Sequence, residues 1–390
     1  MAFFKSIPFS IWALTLAAFA IGTSEFVIMG LLLDISKSFH ISVSQSGFLV
    51  SAYAMGVVIG GPIMTILTAS FPRKATLIGL ISIFVTGNIF CALAPSYELL
   101  LAGRLLTATC HGTFFGLASV AAAALMDKAH RTLGVALVFL GTTLANMLGV
   151  PIGTAEGFEW GWRSTFWSVS GLGLVAIIGL VLFLPKMHGN SKVTPLSEIQ
   201  SLKNPLVLIP LVLSALVNGG LFVIFTYIEP LLVHVTKVPL SHVTYILLIL
   251  GAGLPVGTLL GGKLGDKALL RSLSGLFPLL LCLVVLMHWT LTEEVLGVSV
   301  LFLWNLITFT IAPMLQVMVV NNAAHAPNLA STFNQSAFNF GNAVGAWSGG
   351  FALSHGLPYQ NLPYLSFVYI LTGMAFILLY RHLSRIKKQE

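Results

Sequence analysis

The stretch PFSIWALTLAAFAIGTSEFVIMGLLL, residues 8–33, is apolar apart from four hydroxyl side chains and one carboxylate, that of Glu25. It is longer than the roughly 20 residues that an α-helix needs to cross about 30 Å of hydrocarbon. Helix is the expected form, because an unpaired backbone amide in lipid is costly and the run lacks the alternation of a barrel strand. The stretch therefore predicts a membrane-spanning helix with a charged side chain inside it.

Similar apolar stretches recur along the whole chain. Of its 390 residues, 57% are hydrophobic and only 8% are charged, whereas a soluble domain has about 25% charged residues. The sequence predicts an all-α membrane protein. Its twelve expected spans lie at about residues 8–33, 45–68, 75–93, 97–126, 132–155, 163–185, 204–233, 241–262, 271–291, 295–320, 329–354 and 362–382.

The distribution of lysine and arginine predicts the orientation. Of the 19 basic residues, 15 fall on one side of the membrane; Lys37, Arg163 and Lys237 fall on the other, and Arg104 lies inside a span. The positive-inside rule then places both termini in the cytoplasm, in a bacterial inner membrane. The net charge of +7 reflects this orientation. Because the basic residues are scattered over short loops, we expect no nucleic-acid partner.

The longest polar connection divides the spans into two sets of six. We expect a first six-helix half over residues 1–185, a cytoplasmic linker over 186–204 and a second half over 205–390. The two halves are weakly similar: span two ends GVVIGGPIMTILTASFPRK and span eight ends GLPVGTLLGGKLGDK. Paired halves of this kind are typical of transporters built from repeats.

Glycines at four-residue spacing mark the second and fifth spans of each half. They are Gly56 and Gly60, Gly149 and Gly153, Gly257, Gly261 and Gly265, and Gly341, Gly345 and Gly349. Small residues at this spacing let helix backbones approach closely. Static packing of helices and a moving contact between the two halves both account for the pattern. For span five we expect a gating role for Gly149, Pro151 and Gly153.

Seven motifs carry a resemblance to a known family. They are TSEFVIMGLL in span one, SAYAMGVVIGGP in span two, GRLLTATCHGTFFG in span four, TLANMLGVPIGT in span five, GWRSTF opening span six, GGKLGDK after span eight and FNFGNAVGAWSGG in span eleven. Together they resemble the major facilitator superfamily, in the twelve-span drug:proton antiporter branch near the arabinose-efflux-permease-like members. The resemblance covers the whole chain and implies two pseudo-symmetric six-helix halves that move by alternating access.

Two departures from the family pattern are visible. The loop after span two, TASFPRK, has Ala69 and Pro72 where the family usually has an acidic residue and a glycine, whereas the copy after span eight retains its acid, Asp266. In span five, Val150 separates Gly149 from the proline that usually follows directly. From the two loop motifs we expect Arg73, Lys74, Asp266 and Lys267 to act in gating.

Three ionisable residues inside the membrane are candidates for proton coupling. Counted along helices at about 1.5 Å per residue, Glu25 and Arg104 lie at one depth, roughly 10 to 12 Å from the outer surface. His111 follows Arg104 by two helical turns and shares its face. Charges in hydrocarbon are usually retained for pairing or for moving ions. Three arrangements of Glu25 and Arg104 are open: they change their contact during transport, and so change proton affinity, they form a static ion pair, or they do not meet.

Cavity residues are expected from depth and from the resemblance, which implies that spans one, four, seven and ten line a central cavity. The apolar wall would allow an adaptable site, although core packing accounts equally well for Tyr53, and interhelical hydrogen bonding for the asparagines. The substrate candidates are Phe26, Met29, Tyr53, Phe115, Asn146, Asn218, Phe222, Tyr227, Asn305 and Asn339.

We therefore predict a monomeric, proton-coupled transporter that exports a small drug-like, sugar or metabolite substrate. The nearest alternative is a sugar, metabolite or siderophore exporter or symporter on the same scaffold, and a different class is a membrane sensor or intramembrane enzyme. The chain has no HExxH, GxSxG or GxxxxGK[ST] motif, which argues against an enzyme and against nucleotide-driven transport. We expect no cofactor or metal, and the three cysteines are interpreted as core residues.

Overall fold

The computed structural model describes residues 7–41, 43–187, 204–323 and 327–386, and over these residues the secondary structure is helical with no strand. The spans are Phe9–Phe39, Val43–Thr68, Arg73–Leu93, Tyr97–Leu125, a composite fifth span (Arg131–Leu144, Ala145–Gly149 and Val150–Trp160), Trp162–Phe183, Pro205–Phe225, Leu240–Thr290 for spans eight and nine, Glu294–Asn322, Pro327–Ser354 and Leu362–Ile386. Short helices cover Lys128–His130, Ile228–His234 and Tyr359–Asn361. The predicted all-α membrane fold is confirmed.

Spans eight and nine are two helices within Leu240–Thr290, because the backbone of Ala268 is non-helical (φ −162°, ψ 72°) and kinks the chain between the predicted spans 241–262 and 271–291. One predicted boundary was wrong. Span seven was predicted to reach residue 233, but its helix ends at Phe225 and the short helix Ile228–His234 follows.

Span eleven differs from the other spans in composition. Ten helices of the described residues are long and apolar enough to cross a membrane, and Pro327–Ser354 is not among them although it has 28 residues. Its buried face contains Asn334, Gln335 and Asn339. These buried polar residues lower the mean hydropathy of the helix, although Phe340, Trp347 and Phe351 are exposed on its other side.

The pairing of spans repeats between the two ends of the chain. Span two packs on span four as span eight packs on span ten, and span one packs on span five as span seven packs on span eleven. Separate hydrophobic cores form within residues 7–184 and within 206–380. This arrangement is the one expected of two six-helix halves. The predicted linker, residues 186–204, lies almost entirely outside the described residues.

The thiols of all three cysteines are free. Cys91 and Cys110 are buried, as predicted, but Cys282 is exposed on the outside of the bundle. Its interpretation as a core residue was wrong.

Candidate functional site

A cavity lies between the two halves near the middle of the bundle. It has a volume of about 110 Å³, which is below the range of about 300 to 1,000 Å³ that is usual for ligand pockets. The wall is mostly aromatic and amide. Its lining residues are Glu25, Phe26, His111, Phe115, Phe139, Thr142, Asn146, Asn218, Leu221, Phe222, Phe225, Leu254, Phe309, Ala312, Gln335, Phe338, Asn339 and Asn342.

Arg104 is fully buried behind this wall. Its guanidinium donates hydrogen bonds to the backbone carbonyls of Ser24, at 2.6 Å, and Glu25, at 3.2 Å. The same group lies over the Tyr53 ring, with Cζ 4.2 Å from the ring centroid. Among the described residues, nothing accepts a hydrogen bond from its Nε. Arg104 therefore fixes the backbone of span one and retains one spare donor.

The Glu25 carboxylate faces His111. Its Oε2 lies 3.7 Å from Nδ1 of His111, and the Tyr53 hydroxyl lies 3.1 Å from the same nitrogen. Both ionisable side chains are largely buried, with 12% of the Glu25 side chain exposed and 5% of the His111 side chain. One imidazole nitrogen thus has a phenol and a carboxylate as neighbours. If it carries a proton it can pair with Glu25, and if it does not it can accept from Tyr53.

Glu25 and Arg104 are in contact, but not through an ion pair between their side chains. Arg104 contacts the backbone oxygen of Glu25, while in the described part of the chain the carboxylate makes its ion-pair contact with His111. A static pair between the Glu25 and Arg104 side chains is therefore absent from this conformation. His111 and Arg104 do share a face, since both contact Tyr53.

Most of the predicted substrate residues line the cavity. They are Phe26, Phe115, Asn146, Asn218, Phe222 and Asn339. Asn146 lies in the π-helical segment Ala145–Gly149, a wider turn that is often found at functional sites. The amides of Asn146, Asn218 and Asn339 each donate to a carbonyl one turn earlier, so their side-chain oxygens remain as acceptors.

Four predicted substrate residues lie elsewhere. Tyr53 is buried behind His111 and supports the charged cluster without lining the cavity. Tyr227 donates to the Ala346 carbonyl in a contact between spans seven and eleven. Asn305 is buried in span ten away from the cavity wall, and Met29 is half exposed outside it. Depth along a helix does not determine which way a side chain faces.

The two halves meet at the inner end, meaning the end that the basic residues assign to the cytoplasm. The Asp266 carboxylate accepts hydrogen bonds from the backbone nitrogens of Thr132, at 2.6 Å, and Leu133, at 3.1 Å, in the first turn of span five. The hydroxyls of Thr65 and Thr332 lie 2.9 Å apart across the interface. The described structure is therefore held closed at this end.

The other gating candidates have different surroundings. Lys74 donates to the carbonyls of Val181 and Leu184, so it caps span six in its own half. Arg73 borders a small pocket beside Asn328 of span eleven, and Lys267 is exposed.

The glycines at four-residue spacing pack mainly within each half. A Cβ on Gly153 would lie 2.8 Å from the Val27 side chain of span one, and one on Gly60 would lie 2.7 Å from that of Thr109 of span four. Gly149 likewise faces span one, and Pro151 is exposed. Among them, Gly265 does face the other half, at Thr132. In this conformation most of these glycines pack within their own half, and the gating role of Gly149, Pro151 and Gly153 stays a prediction.

Comparison with known families agrees with this architecture. Residues 14–346 match the model of the Major Facilitator Superfamily. The chain belongs to this superfamily. It is therefore a multi-pass membrane transporter of small molecules and not an enzyme, and the predicted resemblance is confirmed.

Several members of the superfamily are similar over nearly the whole chain. The chain is 40% identical to the inner membrane transport protein YdhP of Escherichia coli K12, covering 96% of each chain. It is 31% identical to a chloramphenicol resistance protein of Streptomyces lividans, over 89% of this chain and 90% of that one. It is 28% identical to the putative transporter AraJ of Escherichia coli K12, over 97% and 96%.

Solved structures of the superfamily share the fold. The transporter FucP, crystallised in its outward conformation, superposes with a TM-score of 0.76 at 15% identity, covering 95% of this chain and 99% of that one. At 15% identity, this match supports the fold alone.

Sequence reasoning missed part of this superfamily member's cavity. The aromatic residues Phe139, Phe225, Phe309 and Phe338 line it, as do Gln335 and Asn342. Phenylalanine is common in every span, so nothing in the sequence distinguished these rings from lipid-facing ones. Gln335 and Asn342 were detectable, because they lie at intervals of three or four residues around Asn339 on one helix face.

Proposed function

We propose that this transporter is a proton-coupled exporter that exchanges a small organic substrate for protons by alternating access, in a bacterial inner membrane with both termini in the cytoplasm. The observation that carries the proposal is the Glu25 carboxylate in the cavity wall, 3.7 Å from His111. An intramembrane carboxylate is costly and is usually kept for ion pathways or proton relays.

The cluster offers a defined path for one proton. A proton that reaches the cavity can bind to the Glu25 carboxylate or to Nδ1 of His111, which lie 3.7 Å apart, at ion-pair distance but beyond the range of a direct hydrogen bond. Tyr53 holds the imidazole in place from the other side. Arg104 contributes a fixed positive charge nearby, and its spare Nε–H is available to the carboxylate if span one rotates. A change in that contact during the cycle would change how tightly Glu25 holds its proton.

The cavity wall favours an aromatic or apolar molecule that carries hydrogen-bonding groups. Phenylalanines supply most of the surface, and the amides of Asn146, Asn218, Gln335, Asn339 and Asn342 supply donors and acceptors. The one carboxylate favours a neutral or cationic substrate over an anion. One relative is named a chloramphenicol resistance protein, which also favours a drug-like substrate for this chain.

Alternating access requires the inner closure to break. The bonds from Asp266 to the first turn of span five are charge-assisted and cross between the halves. Proton binding near the cavity and substrate binding in it would each change the balance between this closure and an opening at the opposite end.

The test is to measure internal pH in proteoliposomes while a panel of drugs, sugars and nucleosides is added. We expect substrate-evoked proton movement in the wild type that is lost in Glu25→Gln. Glu98→Gln is the matched control, because it makes the same change at an exposed carboxylate outside the cavity. Equal proton signals in wild type and Glu25→Gln would contradict the assignment of Glu25.

A second candidate is an exporter or symporter of a sugar or another neutral metabolite. It is favoured by the five amide side chains, since amides are suited to binding hydroxyl groups. Uptake of labelled drugs and sugars into proteoliposomes with an imposed pH gradient separates the two candidates. Substrate that accumulates in the direction opposite to proton flow indicates antiport, and substrate that accumulates in the direction of proton flow indicates symport.

A further inference from the structure

A second pocket lies at the inner end of the bundle, far from the cavity. It is formed where the start of span nine meets the end of span twelve, and it has a volume of about 470 Å³. Its lining consists of Leu270, Arg271, Ser274, Arg381, Ser384 and Arg385. Three arginines and two serines thus surround one open space.

The described residues supply no counterion to these arginines. Within the part of the chain that the structure describes, no carboxylate lies at ion-pair distance from Arg271, Arg381 or Arg385, and none of the three donates a hydrogen bond to another described residue. The hydroxyls of Ser274 and Ser384 each donate to a carbonyl one turn away on their own helix, which leaves their lone pairs and not their protons facing outward. The binding groups of the pocket are therefore the guanidiniums.

The equivalent position in the first half is arranged differently. Arg73 and Lys74 begin span three there, and Lys74 donates to the carbonyls of Val181 and Leu184 at the end of span six. That half uses Lys74 to cap a helix, and the neighbouring pocket is lined by apolar side chains and two threonines. A pocket lined by three arginines is thus a property of the second half and is not required by the repeated fold.

We propose that this pocket binds a phosphate group, supplied by the headgroup of an anionic phospholipid in the cytoplasmic leaflet. Arginine forks match phosphate oxygens in a bidentate geometry. The pocket lies at the ends of two spans, at headgroup depth, and basic pockets between membrane helices on the cytoplasmic side suit such headgroups. Leu279, Leu378 and Leu379 are exposed on the same two spans and provide an apolar surface for the acyl chains.

The test compares lipids retained by the purified full-length protein in native mass spectrometry. We expect phosphatidylglycerol to be retained in preference to phosphatidylethanolamine. The variant Arg271→Gln, Arg381→Gln, Arg385→Gln should bind phosphatidylglycerol on the order of a hundredfold more weakly, because each arginine near an anionic headgroup contributes roughly a fivefold factor. The matched control, Lys128→Gln, Lys186→Gln, Lys263→Gln, removes the same charge from exposed positions outside the pocket and should retain the lipid.

A lysine variant and a competition with inorganic phosphate complete the test. If the glutamine variant does not fold, the variant with three lysines at these positions keeps the charge but loses the forks, and we expect intermediate retention. Inorganic phosphate at millimolar concentration should not displace the lipid. Displacement by phosphate alone would overturn the lipid as the source, and equal retention by the glutamine variant and the wild type would overturn the site.

Discussion

The two halves present different chemistry to the cavity from equivalent helices. Spans one and four supply Glu25, His111 and, behind them, Arg104. Their counterparts, spans seven and ten, supply Asn218 together with apolar side chains. The helices pair in the same way in both halves, so the scaffold is repeated while the ionisable groups are not. Under the proposed function, proton handling belongs to the first half, while both halves supply side chains that can contact substrate.

At the inner end the acidic side chain is in the loop of the second half, whereas in the cavity it is in the first half. After span eight, Asp266 accepts two hydrogen bonds from span five of the other half. After span two, the corresponding loop has no acid, and Oδ1 of Asn328, at the start of span eleven, has no partner among the described residues. Among the described residues, the closure made by a carboxylate is therefore one-sided, because it uses Asp266 of the second half.

The largest expected effect comes from moving the carboxylate between the halves. The double variant Glu25→Gln, Asn218→Asp keeps one carboxylate in the cavity but places it away from His111 and Arg104. We expect substrate-evoked proton flux in proteoliposomes to fall at least about a hundredfold, the scale associated with losing a proton-transferring side chain. Recovery of flux in the double variant relative to Glu25→Gln would mean that any cavity carboxylate suffices.

A smaller loss of proton flux is expected when lysine replaces Arg104, because the positive charge remains but the planar guanidinium is removed. Lysine cannot reach both carbonyls while lying over Tyr53, so Arg104→Lys should lower proton flux by roughly tenfold, the equivalent of about 1.4 kcal/mol.

Arg163 offers a matched control for this change. It also donates to a backbone carbonyl, that of Ala94, and lies 4.2 Å over an aromatic ring, that of Trp162, but outside the cavity. Arg163→Lys should keep flux near the wild-type value. Similar losses in both variants would assign Arg104 a purely structural role.

The one-sided closure predicts a change in conformation. Asp266→Ala removes two hydrogen bonds to a charged acceptor, and should shift the equilibrium away from the inner-closed state by about 1 to 3 kcal/mol. Spin labels at Lys128 and Lys263, in a background with serine at the three cysteines, should then report a longer distance. Ala69→Asp should have the reverse effect, because it introduces an acid at the equivalent loop near Asn328. Unchanged distances in both variants would count against a latch at this position.

The smallest effect is expected for the Tyr53 hydroxyl. Tyr53→Phe keeps the ring over Arg104 but removes the hydrogen bond to His111, so transport should slow about fivefold, corresponding to roughly 1 kcal/mol. Tyr227→Phe is the control, because that hydroxyl bonds to the Ala346 carbonyl away from the cavity. Initial rates measured over a range of pH would contradict the role of Tyr53 if both variants matched the wild type.

Some features of the site could be predicted from the sequence because they depend on position along one helix. The depth of Glu25, and the shared face of Arg104 and His111, follow from helical periodicity. The contact of Arg104 with the backbone of span one, in place of the Glu25 carboxylate, depends on the rotation of two helices that are distant in sequence. The four-residue glycine spacing predicted close packing but did not reveal its partner, which for Gly153 is span one.

The sequence by itself determined the membrane environment, the number of spans and the family, because apolar length, scarcity of charge and local motifs are properties of contiguous residues. Only the tertiary structure decided which side chains meet: that His111 lies between Tyr53 and Glu25, that Asp266 caps span five of the other half, and that three arginines from two spans face one pocket. The physical reason is that these contacts depend on how helices rotate and cross, and that geometry is set by the packing of all twelve spans together.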